Sequence, residues 1–315
     1  MPDSTNHPVD SSQHQSPTNS PPSYIGRFAP SPSGPLHMGS LVAALASYLD
    51  ARSNHGKWLV RMEDLDPPRE SKEAADQILD ALDKTGLHWD GSVLYQSQRK
   101  DAYLEALEIL SRQDLIFACD CTRQQIQESG GVYPGTCRLR HLAEESGKAL
   151  RCRVTDEVIS FTDLIQAFQS QHLQDDIGDF VVKRKDGLFA YQLAVVVDDD
   201  FQKISHIVRG IDLMDSTARQ IYLQQKLGFQ KPCYAHIPVI VNQLGQKLSK
   251  QHKAKPIDPN DSVALLLEAL RYLNQDPDPA LNSGNNDDIL KWGIAHWNPA
   301  RLTDRQEISE FEAPL

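Results

Sequence analysis

A strand that hands over to a helix through a run of backbone breakers constrains this chain most. Residues 24–28 (Tyr-Ile-Gly-Arg-Phe) suit a short strand, and Ala29-Pro30-Ser31-Pro32-Ser33-Gly34-Pro35 can continue neither strand nor helix. Leu41, Leu45, Tyr48 and Leu49 then recur at helical spacing, with Ser40 placed to cap the helix. A second apolar run at residues 57–62 follows closely enough for a parallel βαβ unit, whose right-handed crossover implies a sheet covered by helices. The fold class read here is α/β, a Rossmann-like doubly wound parallel sheet. No Gly-x-Gly-x-x-Gly is present, so this is not the dinucleotide fingerprint.

Residues 70–113 read as helical, with Ile78, Leu79, Leu82, Leu104, Leu107 and Leu110 as the buried stripe. Strand character returns at residues 180–183, and Asp186-Gly187 turns the chain into a returning strand at 188–197. A strand at 204–208 leads through Arg209-Gly210 into a helix carrying Ala218, Ile221, Tyr222 and Leu227. A last strand at 237–241 runs into a polar loop spanning residues 247–253, and helices near 263–273 and 288–297 complete the pattern. Residues 1–22 hold only Met1 and Val9 as clear apolar side chains and no Lys or Arg, which predicts a disordered tail and fits neither a secretory nor an organellar signal. No apolar run approaches a membrane span, so a cytoplasmic protein with no membrane partner is expected.

Two segments suit phosphate chemistry. In Leu36-His37-Met38-Gly39-Ser40, a helix start offers free N–H groups, Gly39 lets a nucleotide approach the backbone, and His37 can donate to a phosphate oxygen. In Lys247-Leu248-Ser249-Lys250-Gln251, two lysines can offset charge developing on pyrophosphate, with Lys250 taking the larger share. A third segment crowds Cys119, Cys121 and Cys137 together, and three thiols at this spacing suit a structural zinc ion that folds an insertion too small for its own core. Spacing alone puts the fourth ligand at His141.

A His-x-Gly element after the first strand and a Lys-x-Ser-Lys loop after the last resemble the two signatures of class I aminoacyl-tRNA synthetases. The resemblance extends to glutamyl-tRNA synthetase catalytic domains through residues 24–34, Arg61-Met62-Glu63-Asp64-Leu65-Asp66, residues 191–199 and Val208-Arg209-Gly210. It implies that the chain activates L-glutamate with ATP and Mg²⁺, with His37, Lys247 and Lys250 catalytic and His37, Gly39, Ser40 and Lys250 binding ATP. A dicarboxylic amino acid calls for two guanidinium forks, which Arg27 and Arg209 can supply, and one acid. The family pattern implies Glu63 for the α-ammonium, Tyr191 for the side-chain pocket, and Arg27, Phe28, Ala29, Pro30 and Ser31 wrapping the ligand.

The Cys-x-Cys and Tyr-x-x-x-Cys pattern is similar to the glutamyl-queuosine tRNA(Asp) synthetase subfamily, and that similarity replaces His141 by Tyr133 as fourth zinc ligand. Only 65 residues follow Lys250, too few for the usual anticodon-binding domain. The expected organisation is a tail (1–22), a first catalytic half (23–115), a zinc-binding insertion (116–178), a second catalytic half (179–255) and a short helical C-terminal piece (256–315). The subfamily implies a monomer that forms glutamyl-adenylate without tRNA and passes glutamate to queuosine in the anticodon loop of tRNA(Asp). The competing expectations are a truncated enzyme charging the 3′ end of tRNA(Glu), or an idle synthetase-like binding module. A net charge of −11 confines any nucleic-acid footprint to local patches such as Lys183-Arg184-Lys185.

Overall fold

The computed structural model describes residues 24–67, 69–242, 244–248 and 255–310. The tail expected at residues 1–22 and the lysine at position 250 lie outside them. β1 (Ile25–Phe28), α1 (Met38–Ser53) and β2 (Lys57–Met62) form the expected unit, with β1 and β2 parallel. His37, not Ser40, caps α1. Its side chain accepts from the Ser40 amide, while the Ser40 hydroxyl oxygen accepts from the His37 amide at 2.9 Å, a reciprocal box that satisfies two donors at the helix start.

α2 (Lys72–Lys84) is capped by Ser71 and buries Ala75, Ile78 and Leu82. The Asp90 carboxylate then accepts from the Trp58 amide at 2.8 Å, tying the chain back to β2. β3 (Leu94–Tyr95) adds to β2 in parallel before α3 (Lys100–Arg112). The helical stretch expected across 70–113 is therefore two helices around a strand. Leu104 faces outward, and α3 buries Tyr103, Ala106, Leu107 and Leu110 instead.

β4 (Ile116–Cys119), α4 (Arg123–Glu128), β5 (Ala149–Cys152), β6 (Val158–Asp163) and β7 (Ala167–His172) follow, with β6 and β7 an antiparallel hairpin. β8 (Phe180–Lys183) pairs antiparallel with β5, which pairs with β4. Gly178 has φ 66°, and a Cβ there would lie 2.8 Å from the Val132 side chain and 2.9 Å from the Tyr133 carbonyl oxygen, so only glycine lets the Tyr133 segment approach.

The returning strand expected at 188–197 is instead α5 (Tyr191–Phe201). Asp186-Gly187 does turn the chain, but pairing ends at the bridge between Lys183 and Phe189. Leu193, Ala194, Val195, Val196 and Val197 are all buried. A run with no exposed face carries no period to separate helix from strand, and packing overrules the strand preference of its valines.

β9 (His206–Gly210), α6 (Met214–Leu227) and β10 (Cys233–Ile237) come next, with β9 and β10 parallel. The last strand expected at 237–241 is split at Pro238, and β11 (Val239–Val241) leaves the main sheet. After α7 (Ser262–Tyr272) and α8 (Asn286–His296), β12 (Glu307–Ser309) pairs with β11. β9 packs beside β1, where the Ser205 amide donates to the Ile25 carbonyl at 2.9 Å, so the parallel strands run β3-β2-β1-β9-β10. One face carries α1, α2, α7 and α8, and the other α3, α5 and α6. This is a doubly wound sheet whose direction of winding reverses between β1 and β9, the place where such folds bind ligands. Among the described residues, no helix is long and apolar enough to cross a membrane.

Candidate active site

The strand ends at that reversal bring four of the expected residues together. Arg27 sits near the end of β1, Glu63 just beyond β2, Arg209 near the end of β9, and Tyr191 at the start of α5. Both arginines are 4% exposed. Burial raises the Glu63 carboxyl to about 7 even though Arg61 and Arg27 pull it down, and Asp199 pushes it further up. Burial likewise raises the Tyr191 hydroxyl, with Arg209 and Arg27 opposing and Glu63 adding to the rise. The four groups thus share one electrostatic neighbourhood.

The two guanidinium groups are held differently. Every N–H of Arg209 has a protein acceptor: Nε donates to His236 at 3.0 Å, one terminal nitrogen to Gln220 at 2.8 Å and Tyr191 at 3.3 Å, and the other to Thr217 at 2.8 Å and the Leu213 carbonyl at 3.3 Å. The two long bonds are the ones a carboxylate can replace. Arg27 faces Asp199 at 3.5 Å, and its buried Nε has no hydrogen-bond acceptor in the protein. Arg61, fully buried, occupies the same Asp199 carboxylate at 2.8 Å and also donates to Gln202 and Glu63. The motif around residues 61–66 contains Arg61, but nothing local in the sequence shows that it anchors Asp199 from 138 positions away.

Ser31 lines a cavity of about 730 Å³ with Glu63, Tyr191 and Gln96, and that cavity extends to Cys121, Arg123 and Ile126. Arg27 and Arg209 are not on its wall; Arg209 reaches it through the Tyr191 hydroxyl. The Phe28 side chain turns into the core and stacks on Trp58, with ring centroids 6.4 Å apart, so only its backbone can face a ligand. Pro30 accepts from the Glu63 amide at 3.0 Å, which fixes the loop of residues 29–35 against the end of β2.

The two segments expected to suit phosphate chemistry also meet. The Leu248 carbonyl oxygen lies 3.2 Å from where a Gly39 Cβ would stand, so the absence of a side chain lets the lysine loop rest on the start of α1. Lys247 forms an ion pair with Asp212, just past Arg209.

From the end of β4 onward, the sulfur atoms of Cys119, Cys121 and Cys137 all lie within 4.8 Å of one another. Cys121 and Cys137 stand 3.5 Å apart, beyond disulfide length and near the edge of a tetrahedron drawn by Zn–S bonds of about 2.3 Å. The Tyr133 hydroxyl reaches Cys119 at 3.5 Å and accepts from the Cys137 amide at 2.8 Å. Burial, reinforced by the neighbouring thiols, pushes Cys121 up to about 11, a cost that a bound cation removes. The donor set therefore fits one soft divalent ion. Exposed His141 is outside this group.

A nucleotide-type helix start, a lysine loop resting on it and a charged pocket at the sheet's reversal point define an adenylate-forming synthetase core. The chain belongs to the class I tRNA synthetases (E and Q): the model of that family's catalytic domain matches residues 25–264. Its relatives include the glutamyl-Q tRNA(Asp) synthetase of Pseudomonas putida, 51% identical over 290 residues that cover 92% of this chain and 96% of that protein. The glutamyl-Q tRNA(Asp) synthetase of Pseudomonas aeruginosa is 51% identical over 280 residues, 89% of this chain and 95% of that one. Among solved structures, glutamate-tRNA synthetase from Elizabethkingia anophelis superposes with a TM-score of 0.75 at 24% identity, over 92% of this chain and 69% of that one, which shows the shared fold.

Proposed function

We infer that this enzyme activates L-glutamate with ATP and transfers it to queuosine of tRNA(Asp), a reading supported by its half-identical relatives, which are named glutamyl-Q tRNA(Asp) synthetase. The observation that carries the glutamate pocket is a buried Arg27 Nε that makes no hydrogen bond, beside a largely covered Glu63 whose ionisation is disfavoured. A zwitterion with an extra carboxylate answers both, since it supplies anions to the guanidinium groups and a cation to the acid. Arg27 and Arg209 each take a carboxylate, Glu63 takes the α-ammonium, and Tyr191 and Ser31 line the pocket.

In the first step an oxygen of the α-carboxylate attacks the α-phosphorus, and the bond to pyrophosphate breaks. His37, Gly39 and Ser40 at the helix start, with Lys247 and Lys250, hold the phosphates and offset the leaving charge. ATP enters as its Mg²⁺ complex, and the ion shares that charge. In the second step a hydroxyl oxygen of the queuosine cyclopentene ring attacks the acyl carbon, AMP leaves with the bridging oxygen, and the hydroxyl proton passes to the departing phosphate. Cys119, Cys121, Cys137 and Tyr133 would hold Zn²⁺, which supplies a cross-link for the insertion. A tRNA substrate places the enzyme in the cytoplasm.

The test is to incubate the enzyme with labelled glutamate, ATP and total tRNA, then map the label by nuclease digestion. Label on the anticodon fragment of tRNA(Asp) is expected. Label on the 3′ end of tRNA(Glu), or no glutamate-dependent pyrophosphate exchange without tRNA, would overturn the reading.

A pH dependence follows from Glu63. Its carboxyl holds its proton up to about 7, and only the ionised form attracts an ammonium group. Glutamate affinity is therefore expected to be flat above pH 8 and about tenfold weaker at pH 6, with proton release on binding near neutrality. Calorimetric titration in buffers of different ionisation enthalpy measures both. An affinity unchanged between pH 8 and 6 removes Glu63 from this role.

A further inference from the structure

Arg209 is gripped from behind by a buried pair. His236 on β10 and Asp163 at the end of β6 are both almost fully buried, and their side chains meet at 2.6 Å between Nδ1 and Oδ2. The other ring nitrogen, Nε2, receives the Nε–H of Arg209 at 3.0 Å. A guanidinium group has no lone pair to offer, so Nε2 must be the acceptor and the ring proton must sit on Nδ1, where the Asp163 carboxylate holds it. A doubly protonated ring is ruled out by the same contact, because it would set N–H against N–H beside a fixed positive charge.

We propose that Asp163 and His236 are positioning residues that set the Arg209 guanidinium for the substrate carboxylate by fixing the tautomer of His236. The inference rests on the reading of Arg209 as a carboxylate ligand. It makes the β6–β7 hairpin part of the amino-acid site, although Asp163 stands 73 positions from His236 in the chain. Thr217 completes the arrangement: its hydroxyl oxygen accepts from Arg209 at 2.8 Å and lies 3.3 Å from the same Nε2.

The second Asp163 oxygen determines what an amide would do there. Oδ1 accepts from the backbone amides of Ile165 at 3.0 Å, Gln166 at 2.9 Å and His236 at 3.1 Å. In Asp163→Asn the amide oxygen must keep those three donors, which forces its NH₂ toward His236 Nδ1. The ring then carries its proton on Nε2, donor against donor with Arg209. In His236→Gln, by contrast, the amide can donate to Asp163 and still offer its oxygen to Arg209.

The experiment is steady-state pyrophosphate exchange on the full chain with Asp163→Asn, His236→Gln and, as a control, Arg209→Gln. Asp163→Asn is expected to raise KM for glutamate about thirtyfold with KM for ATP unchanged, and His236→Gln to stay within about threefold of wild type. A merely structural role gives the reverse order, since Asn is the isosteric change and Gln the misshapen one, and that reverse order overturns the proposal. If Arg209→Gln leaves KM for glutamate unchanged, the carboxylate reading of Arg209 fails. If Arg209→Gln weakens binding while Asp163→Asn does not, the positioning role alone fails. Should Asp163→Asn not fold, nitrogen-15 NMR of the wild type decides: a protonated Nδ1 with a bare Nε2 is expected for His236, and an Nε2–H form or an imidazolium overturns it.

Discussion

Replacing Arg27 by glutamine is expected to lower kcat/KM for glutamate in tRNA-independent pyrophosphate exchange about a thousandfold, while KM for ATP stays within about twofold. Truncating one side of a buried, hydrogen-bonded charge pair costs roughly 2–5 kcal/mol, and each 1.4 kcal/mol is a factor of ten. Arg27 belongs at the upper end of that range because it is 4% exposed and its Nε, though 3.5 Å from the Asp199 carboxylate, makes no hydrogen bond in the protein, so a substrate carboxylate can supply the one its burial leaves unmade. The fold should tolerate the change. Asp199, which pairs with Arg27, keeps its 2.8 Å bond to Arg61. Arg27→Lys retains charge but loses the fork and should fall between the two, near a fiftyfold loss. A thermal melt run beside the kinetics separates recognition from stability, and an unchanged KM for glutamate in folded Arg27→Gln would remove this residue from the pocket.

Stripping metal from the cysteine cluster is expected to open the insertion without dismantling the catalytic sheet. Cys119 ends β4, and Cys121, Tyr133 and Cys137 follow before β5; among the described residues the cluster buries only Phe117, Cys119, Tyr133 and Cys137. So small an apolar group supplies a few kcal/mol at best, whereas structural zinc supplies about 10 kcal/mol or more in peptide sites. Chelation, or Cys137→Ser, should therefore raise amide exchange across residues 119–141 about a thousandfold and release one zinc per chain, measured by hydrogen-exchange and elemental mass spectrometry. Because Cys121, Arg123 and Ile126 form the far wall of the cavity, transfer to tRNA should drop by about two orders of magnitude, with glutamate activation reduced less than tenfold. Tyr133→Phe should weaken zinc about tenfold or more while leaving the three thiolates in place. Protein made in zinc-replete medium that carries no stoichiometric metal, or exchange unaltered in Cys137→Ser, refutes the assignment.

The two outcomes bear on different parts of the sequence reading. The helix start at His37 to Ser40, the close spacing of three cysteines and the arginines at two strand ends are local features, and the structure brings each set to a single place. The expected cap at Ser40 missed by three residues because the His37 ring accepts the Ser40 amide, the part a serine hydroxyl usually plays at a helix start. The strand expected at 188–197 failed for a deeper reason: five consecutive buried residues leave no polar face to set a period.

The sequence by itself determined a βαβ opening, a helix start after a breaker-rich loop, a thiol cluster and the arginines near two strand ends. It could do so because breakers, periodicity and motif spacing act over a few to a few dozen residues. Only the tertiary structure decided that Arg61 ties down Asp199, that His236 and Asp163 hold Arg209, and that Leu248 rests on Gly39. Those contacts span 27 to 209 positions of the chain, and nothing in local chain chemistry couples their partners. Burial makes the choice, because a charged or polar group removed from water must find a partner wherever the packed sheet and helices bring one within reach.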